Sequence, residues 1–202
     1  MKIFYAAASP FVRKCLVVAH ELGLRERIEL VPASAHPINR SAPIVAHNPL
    51  GQMPTLLADD GTVLYDSRVI CEYLNSLGDG RIVPATGAER WQALIEQSLA
   101  DGIMDAAVLV RYEQVVRPEP LRWPEWINGQ LDKVHSALAR IELEAPTFGG
   151  RVDIGTIAIG CALGYLDLRF EGRWRKDCPR LVAWLDAFAS AVPSFATTRI
   201  AA

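Results

Sequence analysis

The sequence predicts a small α/β domain in residues 1–78, a linker at residues 79–88 and an all-α domain in residues 89–202. Strand-like and helix-like patterns alternate in the first part, and glycine and proline interrupt both patterns in the linker. Beyond the linker, apolar residues recur only at helical spacing. The chain has 202 residues, half of them hydrophobic, which is enough to bury a sizeable core.

The first domain is predicted to alternate strands and helices. The predicted elements are strand 2–5, helix 12–22, strand 28–31, strands 55–58 and 63–65, and a helix after Ser67. Asp60-Gly61 is a turn signal that joins the last two strands into a hairpin. Ser67 is expected to cap the helix that follows it. A weak pattern within residues 38–47 indicates a further short helix.

The second domain is predicted to be a bundle of four or five helices. Long apolar stripes at helical spacing run through residues 89–113 and 126–141, and a shorter one covers residues 179–189. Residues 153–170 are apolar on nearly all sides, so we expect this helix to lie at the centre of the bundle.

Charge and hydropathy exclude several classes of function. The formal net charge is -2 and the sequence pI is about 6.1, which gives no general attraction to nucleic acid. No segment has the roughly 18 uninterrupted apolar residues that a membrane helix needs. The first residues begin a strand and lack the pattern of a signal peptide. We therefore expect a cytoplasmic protein that binds neither nucleic acid nor membrane.

The cysteines and histidines are scattered. Neither Cys-x-x-Cys nor any zinc-binding spacing occurs among the four cysteines and four histidines, so we expect buried, reduced thiols and no metal site. The densest basic cluster is interrupted by acidic residues and is interpreted as a solvated helix end. Its members are Arg169, Arg173, Arg175 and Lys176.

The first chemical motif lies between the first strand and the first helix. Thioredoxin-like domains carry a Cys-x-x-Cys pair there, at the positive end of the helix dipole. The two positions are Ser9 and Val12 in this chain, which excludes disulfide exchange at this site. The Ser9 hydroxyl can donate to a bound anion, or it can simply cap the helix.

Two further motifs follow along the chain. Pro54 opens a strand, and a cis bond before it would expose the backbone of Met53 to an extended ligand. Asp66 and Ser67 stand at the start of a helix, where the hydroxyl and free N–H groups suit a carboxylate and the acid suits an ammonium group. Each motif also has a plain structural interpretation as a turn or a cap.

In their order and spacing, these motifs resemble the cytosolic glutathione S-transferase family, in its bacterial-type, serine-using class. The resemblance runs from residue 1 to about residue 189. It includes residues 153–169, which resemble the family's buried helix and its capping motif. That motif usually reads Ser/Thr-x-x-Asp, whereas this chain has Asp153 and Thr156, a pair that can still form a capping box.

The resemblance implies a glutathione site with one catalytic residue. Ser9 matches the serine that hydrogen-bonds the glutathione sulfur. The residues implied to bind glutathione are Gln52, Met53, Pro54, Asp66 and Ser67. Among them, Pro54 matches the cis-proline, the backbone of Met53 pairs with the cysteinyl unit, and Asp66 with Ser67 holds the γ-glutamyl end.

The resemblance also implies a transferase that conjugates glutathione, as cosubstrate and without a metal, to small hydrophobic electrophiles in detoxification. A homodimer is expected. The predicted second-substrate residues, which an ordinary core role would also explain, are Phe11, Met104, Val108 and Tyr112. Open alternatives are a glutathione-dependent isomerase, peroxidase or dehalogenase on the same site, and a non-catalytic protein that binds glutathione or another ligand.

Overall fold

A computed structural model describes residues 1–200 of the chain. The chain separates into two compact units, Met1–Trp91 (unit 1) and Gln92–Ala202 (unit 2). Residues 201 and 202, the last two of the predicted all-α domain, lie outside the described residues. The predicted fold class is confirmed, because a mixed sheet with helices is followed by a region built from helices.

Unit 1 contains a four-stranded sheet and two long helices. Its elements are β1 (Lys2–Tyr5), α1 (Pro10–Glu21), a 3₁₀ turn (Arg25–Arg27), β2 (Glu29–Pro32), α2 (Ala42–Val45), β3 (Leu56–Leu57), β4 (Val63–Leu64) and α3 (Ser67–Leu77). The strand order is β2-β1-β3-β4. β1 runs parallel to β2 and antiparallel to β3, and β3 runs antiparallel to β4.

The core of unit 1 combines apolar sheet residues with the contact between α1 and α3. Ile3 and Leu56 are opposite each other in the sheet and both are fully buried, which contributes about 1.5–3 kcal/mol for each side chain. Cys15 of α1 and Cys71 of α3 are also fully buried, with their sulfur atoms 3.9 Å apart. The expectation of buried, reduced cysteines is confirmed, because all four thiols are free and buried.

The element ends in unit 1 differ slightly from the prediction. α1 begins at Pro10, two residues before the predicted start, because proline is pre-organised for the first position of a helix. The hairpin strands are shorter than predicted, but the turn between them is present, with the Ala58 N–H donating to the Thr62 carbonyl at 2.8 Å. The short helix predicted within residues 38–47 is α2.

The prediction that Ser67 caps α3 is wrong. The N-cap is Asp66, whose carboxylate accepts a hydrogen bond from the Arg68 N–H at 2.9 Å, and Ser67 is the first helical residue. Asp and Ser are equally good caps, so two such residues in succession leave the cap position ambiguous in the sequence. The backbone decides it, because Asp66 has the extended conformation of a cap, with φ -84° and ψ -160°.

All regular elements in the described part of unit 2 are helices. Its elements are α4 (Gly87–Val115, which begins in unit 1), a 3₁₀ turn (Glu119–Leu121), α5 (Pro124–Phe148), α6 (Ile154–Phe170), a 3₁₀ turn (Arg173–Lys176), α7 (Pro179–Ala191) and α8 (Pro193–Thr197). Residues 154–163 of α6 are all buried, as expected of a helix that is apolar on all sides. No helix among the described residues is long and apolar enough to cross a membrane.

The predicted capping box at the start of α6 is confirmed. Asp153 Oδ1 accepts from the Thr156 N–H at 3.0 Å, and Thr156 Oγ1 accepts from the Asp153 N–H at 3.1 Å. Arg151 links this box to α4 through contacts of 2.9 Å to Asp153 and 2.8 Å to Glu96. Gly155 leaves no room for a side chain, since a Cβ there would lie 2.9 Å from the Ala93 carbonyl oxygen.

The basic cluster after α6 is only partly the solvated helix end that the sequence predicts. Arg173 and Lys176 are exposed. Arg175 is half-buried and contacts the Asp167 carboxylate at 2.6 Å, because the 3₁₀ turn folds it back along α6. Arg169 is also half-buried. For Arg169 and Arg175 the prediction is therefore wrong.

Candidate functional site

The candidate site in unit 1 is built from three loops at the same end of the sheet. β1 leads at its carboxyl end to Ser9, and the Phe4 N–H donates to the Thr55 carbonyl at 3.0 Å. β3 runs antiparallel to β1 and starts just after Pro54. β4 runs antiparallel to β3 and ends just before Asp66. The register therefore brings Ser9, Pro54 and Asp66 to one edge of unit 1.

Ser9 occupies the N-cap position of α1. Its Oγ accepts a hydrogen bond from the Val12 N–H at 3.3 Å, and its backbone is extended, with φ -79° and ψ 117°. A serine hydroxyl has two lone pairs and one O–H, so capping leaves the O–H able to donate to a ligand. The positive end of the helix dipole favours an anion at the same place. Capping and anion binding are thus compatible roles for Ser9.

The loop before β3 contains the predicted cis-proline. The Met53–Pro54 peptide bond is cis, as predicted. Pro54 is buried, Met53 is half-buried and Gln52 is exposed, so the loop presents the two residues before the proline at its surface.

Two buried polar residues that the motifs did not identify hold this loop. The Asn48 side-chain amide donates to the Thr55 hydroxyl at 2.9 Å and to the Gln52 carbonyl at 3.3 Å. The Thr55 hydroxyl donates to the same carbonyl at 2.8 Å. Gly51 has φ +65°, and a Cβ there would lie 3.1 Å from Arg40 Nε, so glycine suits this turn. Pro49 and Gly51 are typical turn residues, but nothing in the sequence indicates that Asn48 points inward.

Asp66 and Ser67 differ in exposure at the start of α3. Asp66 is exposed, one of its carboxylate oxygens accepts the capping hydrogen bond, and the other lies 3.9 Å from Arg68 Nε. Ser67 is only 2% exposed, and its carbonyl faces the Cys15 thiol of α1 at 3.8 Å. The Tyr65–Asp66 peptide bond is cis. An exposed carboxylate therefore stands beside the amino end of an 11-residue helix.

The predicted second-substrate residues are distributed over both units. Phe11 is half-buried in α1 of unit 1. Val108 and Tyr112 are half-buried on α4, one helical turn apart, and burial raises the pKa of Tyr112. Met104, one turn earlier, is fully buried, which favours a core role for this residue. That the four residues serve one substrate stays a prediction.

The residues described so far define a class of protein: a thioredoxin-like domain with serine where the redox pair would begin, followed by a helical domain. The chain belongs to the glutathione S-transferase family. The family profile described as "Glutathione S-transferase, N-terminal domain" matches residues 8–77, and the profile "Glutathione S-transferase, C-terminal domain" matches residues 124–187.

Relatives extend over the whole chain. An uncharacterized GST-like protein of Escherichia coli K12, YibF, is 34% identical over 98% of both chains. A glutathione transferase family member from Pseudomonas fluorescens Pf-5, solved with bound glutathione, is 43% identical, covers 100% of this chain and 99% of its own, and has a TM-score of 0.95. A second structure described in the same words holds S-(propanoic acid)-glutathione, with 42% identity, full coverage of both chains and a TM-score of 0.90.

Proposed function

We propose that this protein is a serine-using glutathione transferase that conjugates the glutathione thiolate to small hydrophobic electrophiles in the cytoplasm. The observation that carries the proposal is the convergence of Ser9, the cis-proline loop and Asp66 at one end of the sheet. Ser9 and Asp66 are both N-caps, so two helix amino ends face the same edge of unit 1.

The amino end of α3 would bind the γ-glutamyl end of glutathione. That end carries an ammonium group and a carboxylate. The exposed Asp66 carboxylate is the partner for the ammonium group, and the free N–H groups of the first helical turn, with the Ser67 hydroxyl, suit the carboxylate. The backbone of Met53, in the loop held by Asn48, would pair with the cysteinyl unit.

Ser9 would activate the thiol. A free thiol has a pKa of about 8.5, so only a few per cent is thiolate at neutral pH. Lowering that pKa by one to two units requires roughly 1.4–2.7 kcal/mol of preference for the anion. One hydrogen bond from Ser9 together with the α1 dipole has this magnitude.

Conjugation then follows without a further cofactor. The thiolate sulfur forms a bond to the electrophilic carbon, the leaving group departs with its bonding electrons, and the thiol proton passes to solvent. The S-substituted glutathione bound by the Pseudomonas fluorescens relative supports the proposal that this chain also accommodates such conjugates. We place the second substrate along Phe11 and the stripe that contains Val108 and Tyr112.

Two measurements test this function. Isothermal titration calorimetry with glutathione should give saturable binding at one site per chain. A turnover panel with chlorodinitrobenzene, a haloalkane, cumene hydroperoxide and a maleyl isomerisation substrate should show conjugation as the main activity. Glutathione binding without turnover of any of these substrates would indicate a ligand carrier. Turnover of the peroxide alone would indicate a peroxidase and not a transferase.

We further propose that the two predicted domains are joined by residues 79–88 and that the protein is a homodimer. Three large apolar residues, Trp91, Ile95 and Leu109, are exposed on one face of α4, with Trp91 at 65% and Ile95 at 67%. Such a face is unusual on a monomer and is typical of an interface. Sedimentation should therefore give about twice the chain mass of 22.2 kDa, and a single monomer at micromolar concentration would contradict the dimer.

A further inference from the structure

Unit 2 contains four half-buried arginines, and only two of them are neutralised. Arg151 lies 2.8 Å from Glu96 and 2.9 Å from Asp153, and Arg175 lies 2.6 Å from Asp167. Arg111 and Arg169 have comparable burial, yet among residues 92–200 neither has a carboxylate within the 4.0 Å of an ion pair. Burial of an arginine without a counter-charge is costly, so these two are exceptions that need an explanation.

The remaining cations of unit 2 that lack a carboxylate partner among residues 92–200 differ from Arg111 and Arg169 in their exposure. Five others lack a carboxylate within ion-pair distance among the described residues, and all five are exposed to solvent. They are Arg122, Lys133, Lys176, Arg180 and Arg199. Water compensates those charges, whereas the guanidinium groups of Arg111 and Arg169 are partly withdrawn from it.

The two unpaired arginines belong to one cluster between α4 and α6. Arg111 is next to Tyr112 in α4, while Tyr165 and Arg169 are one turn apart on the same face of α6. The Tyr165 phenol forms a hydrogen bond with Arg169 and also interacts electrostatically with Arg111 and Tyr112. Arg169 Nε is buried and has no hydrogen-bond partner among the residues that the structure describes. A buried donor without a partner points to a group that completes the site.

The cluster has hydrogen-bond donors and positive charge, and the acidic side chains nearby already bind other partners. Burial raises the pKa of Tyr165 more than the two arginines lower it, so the phenol keeps its O–H at neutral pH. Glu113 of α4 accepts hydrogen bonds from Arg117 at 2.7 Å and from the Trp123 N–H at 3.0 Å. Asp167 of α6 accepts from Arg175 and Trp174. An external anion therefore fits this place better than a further acidic side chain.

We propose that Arg111, Tyr112, Tyr165 and Arg169 bind a carboxylate carried by the electrophilic substrate. This inference rests on the proposed transferase function, since Tyr112 and Val108 belong to the predicted second-substrate stripe. The apolar surface of Val108, one turn before Tyr112, would contact the body of the substrate. The substrate class is thus narrowed from hydrophobic electrophiles in general to those with an apolar or aromatic body and one carboxylate.

The test compares two glutathione conjugates of nearly the same shape. S-(p-Carboxybenzyl)glutathione carries the proposed carboxylate, and S-(p-nitrobenzyl)glutathione replaces it with a neutral planar group. We expect calorimetry to show that the wild type binds the carboxylate conjugate about tenfold or more tightly, the scale of a hydrogen bond to a charged group. Arg111→Met and Arg169→Met should each reduce the preference for the carboxylate conjugate about tenfold. The affinity for the nitro conjugate should not change.

Control variants separate a binding role from a structural one. Arg180→Met removes an exposed, unpaired cation of α7 and should retain the preference. Arg169→Lys should retain part of it, because the charge remains. Arg169→Met should lower the melting temperature less than Arg175→Met does, because it removes a hydrogen bond to Tyr165, whereas Arg175→Met breaks the ion pair with Asp167.

Three outcomes would overturn the inference. Equal affinities of the wild type for the two conjugates would show that no carboxylate subsite exists. Equal weakening of both conjugates by Arg169→Met would show that the arginines hold glutathione itself or the fold. Failure of both conjugates to bind the folded wild type would refute the proposed function, and the inference with it. Tyr165→Phe, which keeps both arginines, should weaken only the carboxylate conjugate.

Discussion

Replacement of Ser9 separates its role as a helix cap from its proposed role in thiol activation. The first role is to cap α1, where Oγ accepts from the Val12 N–H. At 3.3 Å this hydrogen bond is long, so its loss should cost about 0.5–1 kcal/mol, the lower half of the usual range for a cap. The second, proposed role is donation to the glutathione sulfur, with roughly 1.4–2.7 kcal/mol of preference for the thiolate.

Two substitutions of Ser9 distinguish the loss of stability from the loss of activity. Ser9→Ala removes both the cap and the donor. Ser9→Asp keeps a good cap at the N-terminus of α1, but an ionised carboxylate cannot donate and repels a thiolate. We expect Ser9→Ala to lower the free energy of unfolding by about 0.5–1 kcal/mol and kcat/KM at pH 7 by about ten- to a hundredfold. Ser9→Asp should unfold like the wild type and lose at least as much activity.

The assay is the ultraviolet absorbance of the thiolate of bound glutathione, followed against pH, together with urea denaturation of each variant. In both variants the thiol pKa should rise toward the value of free glutathione, while glutathione affinity changes little, because the proposed contacts with Asp66, Ser67 and the Met53 backbone are retained. If Ser9→Asp retained the wild-type titration and turnover, Ser9 would be only a helix cap and another group would activate the sulfur.

Three further changes test the proposed contact of Asp66 with glutathione, the packing of α6 against α4, and the pH dependence of the contact between Glu113 and Arg117. Asp66→Asn should weaken glutathione binding about tenfold in calorimetry, without a change in melting temperature, because Asn caps α3 as well as Asp does. Gly155→Ala should lower the free energy of unfolding in urea by about 1–3 kcal/mol, since its Cβ would lie 2.9 Å from the Ala93 carbonyl oxygen. The hydrogen bond from Arg117, first of all, holds the pKa of Glu113 below its ordinary 4.5, so melting curves should show its contribution above that pH and lose it as pH falls through the lowered pKa.

Each of these three variants could also give a result that contradicts its expected role. A lower melting temperature of Asp66→Asn would mean that capping of α3 requires a charged side chain. An unchanged affinity for glutathione would show that Asp66 does not bind its γ-glutamyl end. A Gly155→Ala variant as stable as the wild type would show that α6 can move away from α4. In Glu113→Gln the melting temperature should fall less steeply at acid pH than in the wild type. An unchanged pH dependence would show that other carboxylates cause the loss of stability.

The fold was predictable because local signals and tertiary structure agree. The Asp-Gly turn produced the hairpin of β3 and β4, and the run of apolar residues at 153–170 produced a buried α6. The exact cap of α3 was not predictable, because Asp66 and Ser67 are equally suited to it. Only the backbone conformation, which depends on the preceding strand β4, distinguishes the two residues.

The positions of the candidate residues in the fold were predictable, whereas the residues that support their loop were not. Ser9, Pro54 and Asp66 each stand where a strand meets a turn or a helix, and a mixed sheet brings such positions to one edge. Asn48 and Thr55 carry no such signal. Polar residues in a loop are normally exposed, and their inward hydrogen bonds to the Gln52 carbonyl depend on how the whole loop closes.

The basic cluster shows that the sequence does not reveal which arginines find a carboxylate partner. In sequence, Arg169 and Arg175 have acidic neighbours at similar separations, and both suggest a solvated surface. In the structure, the 3₁₀ turn returns Arg175 to Asp167, while Arg169 faces Tyr165, since residues two apart on a helix do not share a face. Neutralisation gives Arg175 a structural role, whereas Arg169 has no carboxylate within ion-pair distance among residues 92–200, and we propose that it holds an external carboxylate.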